Sequence, residues 1–213
     1  MRAWVPSSLL GANRRETLMA LGLFFVLLAG LWWLLPIRKA GEEGSRYHHA
    51  QTLDPYEKAG VTEFKEGQRG PGLSLKDLHG KTVTLKDYEG KLVVLNFWAT
   101  WCTPCDVEMP TLENLWVRHR DRGLVVVGGT VDRGGPRSII DPYVRGKKLT
   151  FPILLDPDMS TARAWLVTGI PATFLVRPTG EVSGVAHGAR EWDSKEMVAL
   201  LETLLPAAPH PRH

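Results

Sequence analysis

Leu92 to Trp98 is a nearly continuous apolar run that ends just before the pair Cys102 and Cys105. An unbroken apolar run of strand length reads as a strand buried on both faces, a central strand covered by helices. Residues from Pro104 to Arg120 read as a helix. The strand therefore turns into a helix at Trp101-Cys102-Thr103-Pro104-Cys105. The first cysteine falls at the helix N-terminus, where free backbone N–H groups and the helix dipole stabilise a thiolate. Such motifs lower a thiol pKa from about 8.5 to roughly 3.5–7.5. One helical turn brings the second sulfur within disulfide reach. The first sulfur can attack a disulfide and the second can resolve the mixed disulfide. Pro104 suits the first turn, where a missing N–H costs little.

Cys102 and Cys105 are the only two cysteines in 213 residues. That number excludes a disulfide-stapled scaffold and a cysteine-rich zinc domain. It also leaves no thiol for a c-type haem or an iron–sulfur cluster beside the pair. Three uses of the pair stay open: a redox dithiol, half a zinc site, or two inert structural cysteines. Cys105 and His119 are spaced like half a zinc finger, but the next histidine is His187, so that ligand set is incomplete. No metal and no cofactor are expected. Hydrophobic residues at 44% and charged residues at 23% argue against a disordered chain. The net charge is +3, and residues 1–39 alone hold five cations against Glu16, which leaves the other 174 residues at −1. A nearly neutral body argues against nucleic-acid binding.

The chain opens on an uncharged run from Leu18 to Leu35, preceded by Arg14 and Arg15 and closed by Trp32, Trp33 and Pro36. Its 18 residues would span roughly 27 Å as a helix. No small-x-small cleavage site follows, so the run reads as an uncleaved membrane anchor rather than a signal peptide. Lys and Arg before and after it nearly balance, so the positive-inside rule barely orients it. Residues 36–70 read as a polar linker, and His48-His49 within it as a solvated loop. The compact domain follows over 71–205, and Pro206–His213 reads as a flexible tail.

Within the domain, Leu73–Leu75 and Thr82–Leu85 read as short strands, and Leu124–Val127 as a second buried strand. Ser138–Lys147 reads as a helix interrupted by Pro142. Ile153–Leu155 is expected as a strand and Thr161–Leu166 as a short helix. Thr173–Val176 and Val182–Ala186 flank Pro178-Thr179-Gly180, a hairpin signal. Ser194 starts a last helix with Met197, Leu200, Leu201 and Leu204 on one face. Strands alternating with helices, then a hairpin and a closing helix, predict an α/β domain with a mixed central sheet.

The run from Leu95 to Cys105, followed by Glu108-Met109-Pro110, resembles the thioredoxin superfamily, and within it the membrane-anchored TlpA/ResA-like thiol–disulfide oxidoreductases. Gly169-Ile170-Pro171-Ala172-Thr173-Phe174 resembles the cis-proline loop of that family, and Thr150–Asp156 is also family-like. The resemblance implies a thioredoxin fold with a mixed sheet flanked by helices, behind one transmembrane helix. It implies a single-pass inner-membrane protein with residues 1–17 in the cytoplasm and the domain in the periplasm or outside the cell. It also implies reduction of disulfide-bearing proteins, apocytochrome c among them, with electrons from a membrane thiol transporter. The catalytic set carried over is Cys102, Cys105, Glu108 and Pro171, with Trp101, Thr103, Pro104 and Ile170 facing substrate. The Ile170–Pro171 bond is expected cis, and the Ile170 backbone to pair with an extended substrate strand. Glu108 would exchange a proton with the resolving thiol, or be only a solvated helix carboxylate.

The chain departs from the pattern at three places. Asn96 stands where thioredoxins carry a buried aspartate, Asp106 where a basic residue is common, and Gly70-Pro71-Gly72 where the domain usually opens. Two other uses of the thiolates compete with reduction: a disulfide oxidase or isomerase, and a copper-handling module drawing on His187. A peroxidase is disfavoured, because no proline and threonine precede Cys102 as in peroxiredoxins. Thr103 carries no charge and Pro104 no donor to stabilise a thiolate further, which favours a reductant.

Overall fold

The computed structural model describes residues 14–34, 54–134 and 137–206. The expected start of the N-terminal tail, the linker through residue 53 with His48-His49, and nearly all of the C-terminal tail lie outside the described residues. The chain divides into two compact units, Met1–Thr52 and Leu53–His213.

The first unit holds α1 (Arg14–Leu34), a helix of 21 residues and about 31 Å. Leu18, Phe24, Phe25, Val26 and Leu27 on it are all more than half exposed. Among the residues whose side chains are described, no helix is long and apolar enough to cross a membrane.

The second unit runs α2 (Pro55–Lys58), β1 (Thr62–Arg69), β2 (Ser74–Asp77), β3 (Thr82–Thr84), β4 (Leu92–Trp98), α3 (Thr103–His119), β5 (Leu124–Thr130), α4 (Arg137–Lys147), β6 (Ile153–Leu155), α5 (Ser160–Ala164), β7 (Ala172–Val176), β8 (Glu181–His187) and α6 (Lys195–Leu204). The eight strands form one mixed sheet in the order β1-β8-β7-β4-β5-β6-β2-β3. β4 pairs parallel with β5 from Leu92↔Leu124 to Trp98↔Thr130, and antiparallel with β7 from Val93↔Val176 to Phe97↔Ala172. Every residue of β4 and β5 is buried, as their apolar runs require.

The folded unit starts earlier than residue 71. Residues 54–69, expected as linker, carry α2 and β1, and β1 pairs antiparallel with β8 from Thr62↔Val185 to Arg69↔Glu181. β1 is an edge strand with most side chains exposed, so it has no apolar alternation to betray it. Tyr56 and Val61 just before it are 7% and 5% exposed and seat the segment in the core. A Cβ on Gly184 would stand 2.8 Å from the Thr62 carbonyl, so that glycine lets β1 and β8 close.

Pro142 does not interrupt α4, which runs continuously through it. The carbonyl it leaves without a partner is that of Ser138, in the exposed first turn. Pro110 sits inside α3 in the same way, and the Asp106 carbonyl it frees accepts from Lys147 Nζ at 3.5 Å. α6 is capped by Ser194, whose hydroxyl accepts from the Met197 N–H, and buries Met197, Leu200, Leu201 and Leu204.

Candidate active site

The site stands at the C-terminal end of β4, where the chain turns into α3. That turn is clamped from β5 and the loop after it. Thr100 donates its N–H to Asp132 Oδ2 at 3.0 Å and its hydroxyl to Asp132 Oδ1 at 2.8 Å, while Thr130 Oγ1 also donates to Asp132 Oδ2. Asp132 is 5% exposed, so its charge is spent on fixing the turn. Cys102 is the N-cap of α3, and its sulfur accepts from the Cys105 N–H at 3.3 Å.

Cys102 and Cys105 form a disulfide, with Cα atoms 5.3 Å apart. Cys102 is 5% exposed and Cys105 fully buried, so an incoming sulfur meets Cys102 first. Because β7 begins opposite Phe97, the loop before it is delivered to the same end of the sheet. The Ile170–Pro171 bond is cis, as expected. Cys102 Sγ lies 3.8 Å from the Ile170 carbonyl oxygen. Pro171 is buried and Ile170 partly exposed, while Trp101, Thr103 and Pro104 are all exposed around the sulfur.

Glu108 is not a solvated helix carboxylate. It is 1% exposed, and three groups donate to it. Asn96 Nδ2 donates to Oε1 at 2.7 Å, and Trp192 Nε1 and the Arg190 N–H donate to Oε2 at 3.0 and 3.2 Å. Burial pushes its pKa up, against the opposing pull of the Trp192, Asn96 and Arg190 donors. Asn96 also donates to Thr173 Oγ1 at 2.8 Å, and its own Oδ1 is buried without a partner. Sequence reasoning singled out Asn96 and Glu108 but not Trp192, Arg190, Thr173 or Asp132. Trp192 stands 84 residues from Glu108, and no local period links them.

Asp106, in the first turn of α3, pairs with Lys147 Nζ at 2.6 Å and accepts from Tyr143 OH at 3.0 Å. The Lys147 hydrogen bond holds its carboxyl below the usual range. Asp106, the departure from the family pattern just after Cys105, is thus neutralised by a lysine of α4. The half-zinc reading fails on geometry. Cys105 and His119 lie near opposite ends of one continuous helix, about 21 Å apart. His187 is exposed at the end of β8, opposite Ala172. Among the described residues no three His, Cys, Asp or Glu side chains cluster to hold a metal.

A mixed sheet flanked by helices, with a dithiol at a helix N-terminus facing a cis-proline, defines a thioredoxin-like thiol–disulfide oxidoreductase. The sequence profile of the AhpC/TSA family matches residues 67–185, and the chain belongs to that family. It is 35% identical over 130 residues to the thiol-disulfide oxidoreductase ResA of Bacillus subtilis (strain 168), covering 61% of this chain and 72% of that protein. It is 33% identical over 137 residues to ResA of Oceanobacillus iheyensis, covering 62% and 70%. Among solved structures it is similar to a thiol:disulfide interchange protein of the thioredoxin family from Chlorobium tepidum TLS. That match has 26% identity and a TM-score of 0.56, and covers 65% of this chain and 99% of the other.

Proposed function

We propose that this chain is a membrane-anchored reductase of protein disulfides outside the cytoplasm. In the reduced enzyme the Cys102 thiolate attacks one sulfur of a substrate disulfide. A Cys102–substrate disulfide forms and the other substrate sulfur leaves as a thiolate, which takes a proton. Cys105, deprotonated, then attacks Cys102 Sγ and expels the remaining substrate thiolate. The substrate gains two electrons and two protons, and the Cys102–Cys105 disulfide is restored. Glu108, one turn beyond Cys105, accepts the Cys105 proton in the second step.

The observation that carries the reductive direction is the buried Glu108 beside a buried Cys105. Where Glu108 is ionised, its negative charge beside the dithiol destabilises the thiolate, whereas strong oxidants stabilise theirs. A dithiol that resists carrying charge gives up its electrons more readily. The exposed apolar surface of α1 and the uncharged run Leu18–Leu35 support the anchor. The family resemblance supports a cytoplasmic N-terminus, a membrane thiol transporter as electron donor, and apocytochrome c as one substrate.

Full-length protein expressed in a Gram-negative host tests both parts. It should stay in the inner membrane after carbonate washing, with its domain open to protease from the periplasmic side. Its reduced form should reduce insulin disulfides faster than its oxidised form oxidises a reduced peptide. Release into the wash, protection of the domain, or the opposite order of rates would each contradict the proposal.

A further inference from the structure

A cleft of about 570 Å³ opens beside Cys102, within the range of roughly 300–1,000 Å³ that accepts small ligands or a few side chains. Its apolar walls are Trp101, Val131, Ile139, Met159, Val167 and Ile170. Resting on the thiol-exchange reading above, we infer that this cleft selects the substrate segment next to the attacked cysteine. It favours a large apolar side chain accompanied by a carboxylate that pairs with Arg133.

Two residues of the cleft wall, Trp101 and Ile170, border the reacting sulfur. Trp101 adjoins Cys102 in the chain, and the Ile170 carbonyl lies 3.8 Å from Cys102 Sγ. A polypeptide joined to Cys102 and running along Ile170 therefore passes into it. Its walls leave apolar surface in water: Trp101 is 68% and Ile139 52% exposed. Side chains of that size cost free energy there until a partner covers them.

Charge decides the second half of the preference. Two charged residues line the cleft, Asp132 and Arg133. The Asp132 oxygens are turned inward to Thr100 and Thr130, which leaves them poorly placed to receive a lysine. Arg133 is exposed and makes no ion pair among the described residues. Ile139 lies in the first turn of α4, whose N-terminal end carries positive dipole character, and exposed Arg137 opens that helix. Among the described residues Arg133 is therefore the one charged side chain of the lining free to pair, and it favours an acidic segment over a basic one.

Three synthetic peptides, each with one cysteine capped as its S-methyl disulfide, test this. Phe flanks the cysteine in all three, and the next residue is Glu, Gln or Lys. The full-length reduced protein should reduce them in the order Glu, Gln, Lys, with kcat/KM about tenfold higher for Glu than for Lys. Arg133→Glu should invert the Glu-to-Lys ratio, and replacing Phe by Ala should lower kcat/KM for every peptide. Reduction of all three peptides at one rate, or an unchanged ratio in Arg133→Glu, would overturn the cleft assignment alone. Failure to reduce 4,4′-dithiodipyridine as well as the peptides would overturn the thiol-exchange reading beneath it.

Discussion

Glu108→Gln removes one charge from the most enclosed part of the site and nearly preserves its shape. Cys105 and Glu108 are three residues apart on one face of α3, which puts their Cβ atoms about 5–6 Å apart. Two unit charges about 6 Å apart at an effective dielectric near 20 interact by about 2.8 kcal/mol. That corresponds to about two pKa units on a neighbouring thiol. The variant should therefore lower the thiol pKa by up to about two, and only above the raised pKa of Glu108 itself, where the wild-type group is charged. Turnover should fall by roughly 10- to 100-fold, because the proton acceptor is lost. The fold should tolerate the change. With the Gln oxygen toward Trp192 and Arg190, its amide faces Asn96, which can rotate its unpartnered Oδ1 into place. The Asn96 amino group, with its two N–H donors, then takes the position without a partner, at a cost of about 1–3 kcal/mol for each buried donor left unpaired. Burial raises the Glu108 pKa above its ordinary 4.5, so the folded state holds that proton more tightly than the unfolded chain. Its contribution to stability is complete below about 4.5 and is lost as pH rises through the raised value. Wild-type stability should therefore decline relative to Glu108→Gln over that window. Thiolate absorbance titrations, steady-state rates and urea unfolding across pH measure all three. Thiol titration curves and turnover that coincide with wild type at every pH would refute the role given to Glu108.

Trp192→Phe removes the indole donor from Glu108 Oε2, so the Glu108 pKa should rise further. The pH at which turnover increases should move upward, with the high-pH rate largely recovered; an unmoved pH–rate profile would count against it. Asp132→Ala strips the acceptor from the Thr100 N–H and two hydroxyls and should cost about 2–4 kcal/mol in urea unfolding. A cost below about 0.5 kcal/mol would mean the turn before Cys102 is held by something else. Gly184→Ala sets a Cβ against the Thr62 carbonyl and should destabilise the domain by about 1–3 kcal/mol. A neutral result would contradict the β1–β8 pairing.

The parts of the fold legible in the sequence were those written in short-range pattern. β4 and β5 announce themselves because they are buried on both faces, and α6 because Met197, Leu200, Leu201 and Leu204 repeat at helical spacing. β1 was not legible, since an edge strand reading Thr-Glu-Phe-Lys-Glu-Gly-Gln-Arg has a polar face to water and little else. The dithiol and the proline loop were legible because each is a compact motif. The carboxylate's surroundings were not: Asn96, Glu108 and Trp192 come from β4, α3 and the segment before α6, and only the closed sheet brings them together. Pro142 misled because a proline's cost depends on which carbonyl it orphans, and that of Ser138 faces solvent.

The division of labour between the two cysteines is tested most directly by the fate of the mixed disulfide. Reduced full-length Cys105→Ser and Cys102→Ser variants would each be mixed with a disulfide-bearing peptide and analysed by mass spectrometry under non-reducing conditions. Cys102 is 5% exposed at the start of α3, while Cys105 is fully buried behind it. Cys105→Ser should therefore accumulate a peptide adduct on Cys102, and Cys102→Ser should form almost none. Equal adduct yields in the two variants, or an adduct confined to Cys105, would contradict Cys102 as the attacking sulfur.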